Sequence, residues 1–266
     1  MLTSTTMRSK LLKPIWITLG IVFLIILWDI AANKANDSLI IMIPTPKDTL
    51  EVLWKLVQTK HYYLTVFYSF LRIIEGLLLG VLAGIVLGVV SYYVKPIWYV
   101  VSPAISIVRS TPVASIIVIL WFLMKNKIFI PTLISFMMVC PIIWQSIVDA
   151  IGTRDKSLYE VATIFQLSFK KRFKYIMLPQ MSKFLVPAVI TSIGLAWKSG
   201  IAAEIITLVG RSNYAIGQEI SNSKATFDYA DMFAWTISVI VLSLILESSI
   251  KFLLKKVNKY GAKTRY

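Results

Sequence analysis

Six stretches of this chain are each long and apolar enough to cross a lipid bilayer as a helix. A hydrocarbon core about 30 Å thick needs about 20 predominantly apolar residues in helical form. Residues 15–32, 66–94, 97–124, 128–150, 183–209 and 229–254 fit that length. Hydrophobic side chains make up 57% of the 266 residues and charged ones only 15%, against about 25% charged in ordinary soluble domains. The sequence therefore predicts an all-α polytopic membrane protein with six transmembrane helices. The membrane domain occupies 15–254, between a short N-terminal segment (1–14) and a basic tail (255–266). Arg8, Lys10 and Lys13 precede the first stretch, as in a signal peptide. That stretch is long, however, and no small-x-small cleavage site follows at 33–37, so an uncleaved anchor helix is expected.

Six crossings leave both termini on one side. The formal net charge is +15, which on a solvated face would point to nucleic acid. Here the basic residues crowd into alternate connections instead. The N-terminus, the 151–182 connection and the tail hold most of them, including Arg154, Lys156, Lys170, Lys171, Arg172 and Lys174. The positive-inside rule then predicts cytoplasmic termini and a multi-pass location in the cell (inner) membrane, in contact with lipid, with no nucleic-acid partner.

Two connections are long enough to act. In the outer one, 33–65, Leu50, Leu53, Trp54 and Val57 follow Pro44-Thr45-Pro46 at spacings of three and four. An amphipathic helix on the outer surface is expected there. In the inner one, Ser157-Leu158-Tyr159-Glu160 fits a capping box that starts a helix running to about residue 167. Tyr159, Ala162 and Phe165 recur every three residues along it. The basic run that follows reads on its own as lipid-facing, each charge contributing about 1 kcal/mol at an anionic surface. The capped helix reads as a docking element for a cytoplasmic partner.

Glu160-Val161-Ala162, followed by Ile176-Met177-Leu178-Pro179, resembles the EAA loop of ABC-importer permeases. The wider chain resembles the nitrate/sulfonate/taurine/bicarbonate-type permeases, the binding-protein-dependent inner-membrane components, over roughly residues 40–250. Ile43-Pro44-Thr45-Pro46, Ser69-Phe70-Leu71-Arg72 with Gly76, Arg109-Ser110-Thr111-Pro112 with Trp121-Phe122, and Ala196-Trp197 with Ala202-Ala203-Glu204 carry the likeness in order. The resemblance implies a six-helix permease bundle with a cytoplasmic coupling helix in loop 155–179. It also implies a second permease chain, in a homodimer, and two ATPase subunits that hold ATP and Mg. An extracytoplasmic binding protein would dock near 33–65 and 211–227. Coupling to the ATPase would fall to Ser157, Tyr159, Glu160, Ala162, Phe165, Gln166, Leu178 and Pro179. Gln166 stands where the family usually has glycine, so the left-handed turn must be made differently or the helix must run on.

Charges inside a bilayer cost about 2.5–3.5 kcal/mol each on insertion scales and so face an interior. Arg72 and Glu75, three residues apart, are expected to pair. Pro112 predicts a break in the third span beside Arg109, with Pro103 a few turns earlier. Broken helices line protein or a wet cavity. Arg109 beside that break and the intramembrane cation Lys198 are candidate translocation-path residues, and Glu204 with Trp197 joins them because the resemblance implies a glutamate at that place. Asp29 and Glu247 lie near span ends, where snorkelling or capping accounts for them. Gly76, Gly80, Gly84 and Gly88 recur every four residues and predict close helix packing.

The chain has no phosphate-binding G-x-x-x-x-G-K-[ST] loop. One histidine (His61) and one cysteine (Cys140) make neither a metal cluster nor a nucleophile triad. The expectation is a transport subunit, not an enzyme, with no cofactor of its own. It would move a small anion (sulfonate, taurine or nitrate) or a thiamine precursor. The alternative is an ion-coupled secondary transporter without an ATPase, in which Arg109, Lys198 and Glu204 would couple ions. A membrane scaffold that transports nothing is a further class.

Overall fold

The computed structural model describes residues 3–37, 43–208 and 214–263. Every regular element among them is helical: α1 (Thr3–Asp37), α2 (Pro46–Val57), α3 (Lys60–Tyr93), α4 (Lys95–Ser110), α5 (Val113–Leu123), α6 (Ile130–Gly152), α7 (Lys156–Ile164), α8 (Phe169–Arg172), α9 (Leu178–Thr207), α10 (Ile216–Ala225) and α11 (Tyr229–Lys263). A single π turn, Phe173–Met177, joins α8 to α9. Arg211 and the last three residues lie outside the described residues.

Five of these segments are long and apolar enough to cross a membrane unbroken. The third expected span is not one helix. It divides into α4 and α5, bent by 105°. Thr111 precedes Pro112 and is extended (φ −81°, ψ 132°), because proline excludes the helical region for the residue before it. The Thr111 hydroxyl donates to Ile107 O at 2.7 Å, closing the last turn of α4. Pro103 breaks nothing, and α4 runs through it.

The centre of the fold is α3, α6 and α9. The four-residue glycine repeat of α3 lies against α6. A Cβ on Gly80 would meet Val139 Cβ at 2.8 Å, one on Gly84 Cys140 O at 2.8 Å, and one on Gly88 Ile147 Cβ at 2.7 Å. A Cβ on Gly76 would collide with Thr132 O. Only hydrogen side chains allow backbones this near, which is how helices pack where lipid is as apolar as the protein. From α9, Gly200 comes equally close to Ile73 of α3 and Ser135 of α6. Polar side chains stitch the same seams: Ser135 Oγ donates to Ala196 O, and Trp144 Nε1 to Ser91 Oγ.

Around this centre, α1 is the outlier. Its apolar side chains are exposed on all sides from Ile15 to Ile30, the pattern of a helix surrounded by lipid. It is held by Trp28, which stacks on Phe233 of α11 and donates to Pro44 O. The expected outer helix is α2, with Thr45 as N-cap and Pro46 at its first turn. Leu56 packs inward while Trp54 stays 69% exposed.

Candidate coupling loop and outer network

In the 151–182 connection, α7 follows α6 and precedes α8 in the chain. Its N-cap is Asp155 rather than Ser157: the Asp155 carboxylate accepts from the Ser157 amide at 3.0 Å and the Ser157 hydroxyl at 2.7 Å. Aspartate caps as well as serine does, and it lies two residues earlier, so α7 begins before the Ser157–Glu160 pattern predicts. Those two bonds hold the Asp155 carboxyl below the usual carboxylate range. The Asp155 amide donates to Gln180 Oε1 of α9, which ties the start of α7 to the bundle. Arg154 lies over the Tyr159 ring at 5.3 Å, and partial burial raises the Tyr159 hydroxyl pKa.

The helix ends in a Schellman motif. The amide of Leu167 donates to Ala162 O, and that of Gln166 to Thr163 O. Gln166 occupies the left-handed position (φ 47°), where glycine is usual. So the turn is made by glutamine at a conformational cost, and α7 does not run on to 167.

The expected coupling residues split into three sets. Ser157, Glu160, Phe165, Gln166 and Leu178 are exposed, while Tyr159 and Pro179 are half-buried. Ala162 is fully buried. The three-residue repeat of Tyr159, Ala162 and Phe165 therefore does not form one outward face; a 3.6-residue helix carries Ala162 to the inner side. The outward apolar ridge is Leu158, Val161, Ile164 and Phe165, between 43% and 76% exposed.

The end of the bundle where α3 and α9 meet α10 holds a buried network that differs from the expected pairing. Arg72 does not pair with Glu75, which is exposed. Arg72 Nη2 reaches Glu204 Oε1 at 2.9 Å and Nε reaches it at 3.1 Å. The other carboxylate oxygen accepts from Ser69 Oγ at 2.8 Å and from the Gly217 amide at 3.1 Å. Ser69 Oγ in turn accepts from the Ile216 amide at 2.9 Å, and Arg72 also donates to Tyr214 O. These contacts explain how α10 can start at all. Its N-cap residue is Ala215, which offers no side-chain acceptor. The first amides of a helix need one. Ser69 from α3 and Glu204 from α9 supply it, and a carboxylate suits the positive end of the helix dipole. Glu204 is fully buried as a result.

The four expected path residues do not share one environment. Trp197 is buried, with Nε1 donating to Val239 O of α11, and Glu204 is enclosed as described. Arg109, in the last turn of α4 beside the break, and Lys198, on α9, are exposed. His61 Nε2 lies 3.1 Å from Glu219 Oε1 of α10 and 3.4 Å from Thr65 Oγ1. Glu247 stands against Gly194 of α9. Among the described residues no group of His, Cys, Asp and Glu is arranged to hold a metal. The residues missed from sequence were Asp155, Gln180 and Ser69. Ser69, Arg72, Ile73 and Gly76 share one face of α3 by spacing, and that face already marked Ser69 as inward.

A bundle of long apolar helices with a capped helix on one connection is the architecture of a polytopic membrane protein. Residues 76–259 match the family described as binding-protein-dependent transport system inner membrane component, and the chain belongs to that family: it is an ABC-importer permease. It is 23% identical over 212 residues to an ABC transporter permease protein of Brucella melitensis, covering 78% of this chain and 82% of the relative. It is 23% identical over 241 residues to SsuC of Bacillus subtilis, described as an aliphatic sulfonates transport permease, covering 89% and 84%. Its fold is similar to that of a chain in inward-facing structures of the MetNI methionine ABC transporter, with TM-score 0.53, 17% identity, and coverage of 78% of this chain and 96% of that one. It is also similar to a chain of an amino acid ABC transporter, with TM-score 0.50, 19% identity, and coverage of 74% and 90%. Family membership implies an ATPase and a binding protein as partners in general terms, and it removes support for a secondary transporter.

Proposed function

We propose that this permease works as a pair of identical chains in the cell (inner) membrane, with both termini cytoplasmic, and moves a small anion inward by alternating access. Two cytoplasmic ATPase subunits, which carry the ATP and Mg, grip the α7 helices. A loaded extracytoplasmic binding protein lands on the opposite side, around 33–65 and 211–227. The observation that carries this reading is the outward apolar ridge of α7, Leu158, Val161, Ile164 and Phe165, on a helix capped at both ends and tied to α9 at its start. Apolar side chains at helical spacing, outside the spans, fit a groove on a partner protein. ATP binding and receptor binding each favour one of two bundle conformations, which is the differential affinity a population shift requires.

Arg109 and Lys198 are exposed cations beside and within membrane helices. They favour an anionic solute, and the relative described as an aliphatic sulfonates permease supports a sulfonate. Taurine, nitrate and a thiamine precursor are the other candidates. Purification in mild detergent with mass spectrometry tests the assembly. Two ATPase copies per two permease chains, lost in Glu160→Arg, are expected. A stable permease with no nucleotide-binding partner, from membranes that express one, would overturn the reading.

A further inference from the structure

We infer that α8 and the π turn after it, at the foot of the α9 span, form a seat for the headgroups of anionic phospholipids. Lys170, Lys171 and Lys174 meet the phosphates, while Phe169, Phe173 and Tyr175 enter the layer just beneath them. The inference rests on the membrane reading of the chain and needs no ATPase.

Charge is the first ground. No acidic residue occurs between Glu160 and Glu204, and Glu204 is taken by Arg72. Lys170, Lys171 and Lys174 are exposed, and none of them joins an ion pair among the described residues. Arg172, in the same run, behaves differently. It is half-buried, and its Nη2 donates to Thr163 Oγ1 of α7 at 3.2 Å. Three cations are thus left without an acid partner, and the fourth ties their surface to the end of α7.

The rings beside these lysines are the second ground. Phe169 and Phe173 lie one turn apart and stack, with centroids 6.3 Å apart. Phe169 is 74% exposed, and Phe173 and Tyr175 are exposed too. Lys174 Nζ stands 5.5 Å from the centre of the Tyr175 ring. Aromatic rings next to lysines suit the boundary between headgroups and hydrocarbon, where the ring is covered and the ammonium stays wet.

Depth is the third. Phe169–Thr207 is one apolar helical run of 39 residues. At 1.5 Å per residue it extends about 58 Å, against a hydrocarbon core about 30 Å thick. The run cannot lie wholly within the hydrocarbon, and its basic start is the end that leaves it. A groove on a protein is the competing occupant, but the apolar ridge of α7 already answers to that description. The unpaired lysines and rings of α8 match an anionic lipid surface in both charge and depth.

Headgroup cross-linking of the full-length chain in phosphatidylcholine vesicles tests the seat. The probe is phosphatidylglycerol with a photoreactive diazirine in its headgroup, and the matching phosphatidylcholine probe is the reference. Adducts mapped by mass spectrometry are expected at 169–175, displaced by unlabelled phosphatidylglycerol but not by inorganic phosphate. Lys170→Gln, Lys171→Gln and Lys174→Gln should each lower the preference for phosphatidylglycerol about fivefold. Together they should abolish it, whereas arginine at all three positions should keep it. Lys34, Lys47 and Lys60 are exposed in other segments, and replacing these three by Gln should leave the adducts unchanged. Equal adducts from both probes would overturn the seat, as would an equal loss in the Lys34, Lys47 and Lys60 variant, which would mean surface charge in general. Displacement by inorganic phosphate would make it a soluble-anion site instead. Cross-links from 169–175 to an ATPase, replacing the lipid adducts in the assembled transporter, would give the surface to a protein. A chain that enters vesicles of neither composition would overturn the membrane reading itself.

Discussion

Arg72 and Glu204 are separated by 132 residues and meet at 2.9 Å inside the bundle. The carboxylate is fully buried and the guanidinium is 13% exposed. Breaking a buried pair by removing one partner leaves an uncompensated charge and costs about 3–5 kcal/mol. Arg72→Ala should therefore lower the thermal stability of the purified permease more than Glu204→Gln, which keeps a hydrogen-bonding side chain. The double variant Arg72→Met with Glu204→Gln, which keeps an acceptor for the Gly217 amide, should be less destabilised than Arg72→Ala alone, read as melting temperature in detergent. Equal losses for all three would mean that the pair contributes only packing.

The glycine seam gives a graded prediction. Alanine at Gly84 would put a methyl 2.8 Å from Cys140 O and from Ile143 Cβ. Overpacking of this kind costs about 1–3 kcal/mol, and Gly84→Leu should prevent α3 from docking on α6. Gly20 of α1 has nothing within 4 Å of a built Cβ, so Gly20→Ala should be neutral or slightly stabilising, by less than about 1 kcal/mol. The two variants, compared by thermal unfolding, separate close packing from a general intolerance of substitution in spans.

How much of this was legible in the sequence depends on what sets each feature. Span positions followed from length and hydropathy, because lipid imposes both. The break before α5 was legible at Pro112, since the constraint on Thr111 is local. Partners across the bundle were not. Arg72 has an acid three residues away in Glu75, and spacing alone favours that pair; only the packing of α9 on α3 brings Glu204 nearer. Capping of α10 by residues from two other helices leaves no trace in its own sequence beyond an N-cap alanine that cannot do the work. The buried side of α7 was misread because a repeat of three drifts around a helix of 3.6 residues per turn.

That misreading has a test. Ala162 is fully buried and Glu160 exposed, two residues apart on α7. Ala162→Asp should unfold the coupling loop itself, seen as faster proteolysis and hydrogen exchange over 155–167 in the permease alone. Glu160→Arg should leave that exchange unchanged and act only on the ATPase. Slow exchange in both variants would return Ala162 to the partner face.

Gln166 holds a left-handed conformation that an L side chain adopts at about 1–2 kcal/mol. Gln166→Gly should relieve part of it and stabilise the end of α7 by about 1 kcal/mol, after the greater freedom of glycine in the unfolded chain is subtracted. Gln166→Val should do the reverse, because a β-branched side chain tolerates positive φ least. Protection of the Leu167 and Gln166 amides, which close the motif, is the direct measure. Unchanged protection across all three would mean that the motif does not limit the loop.

The N-cap at the other end of α7 makes the loop pH-dependent, with a sign that follows from its bonds. Hydrogen bonds from the Ser157 amide and hydroxyl favour the ionised Asp155 carboxylate and lower its pKa. A carboxylate whose pKa is lower in the folded loop stabilises it above the ordinary carboxylate range. The stabilisation fades as pH falls from that range through the lowered folded-state value. Protection of the α7 amides should therefore be flat near neutrality and fall only on the acid side. Asp155→Asn keeps an acceptor oxygen for the Ser157 amide but cannot titrate, so its loop should lose the acid-dependent step while keeping its cap. Asp155→Ala should lower protection at every pH. Hydrogen exchange of residues 156–164 across this range separates the three. An acid step that survives in Asp155→Asn would assign the pH dependence to another group.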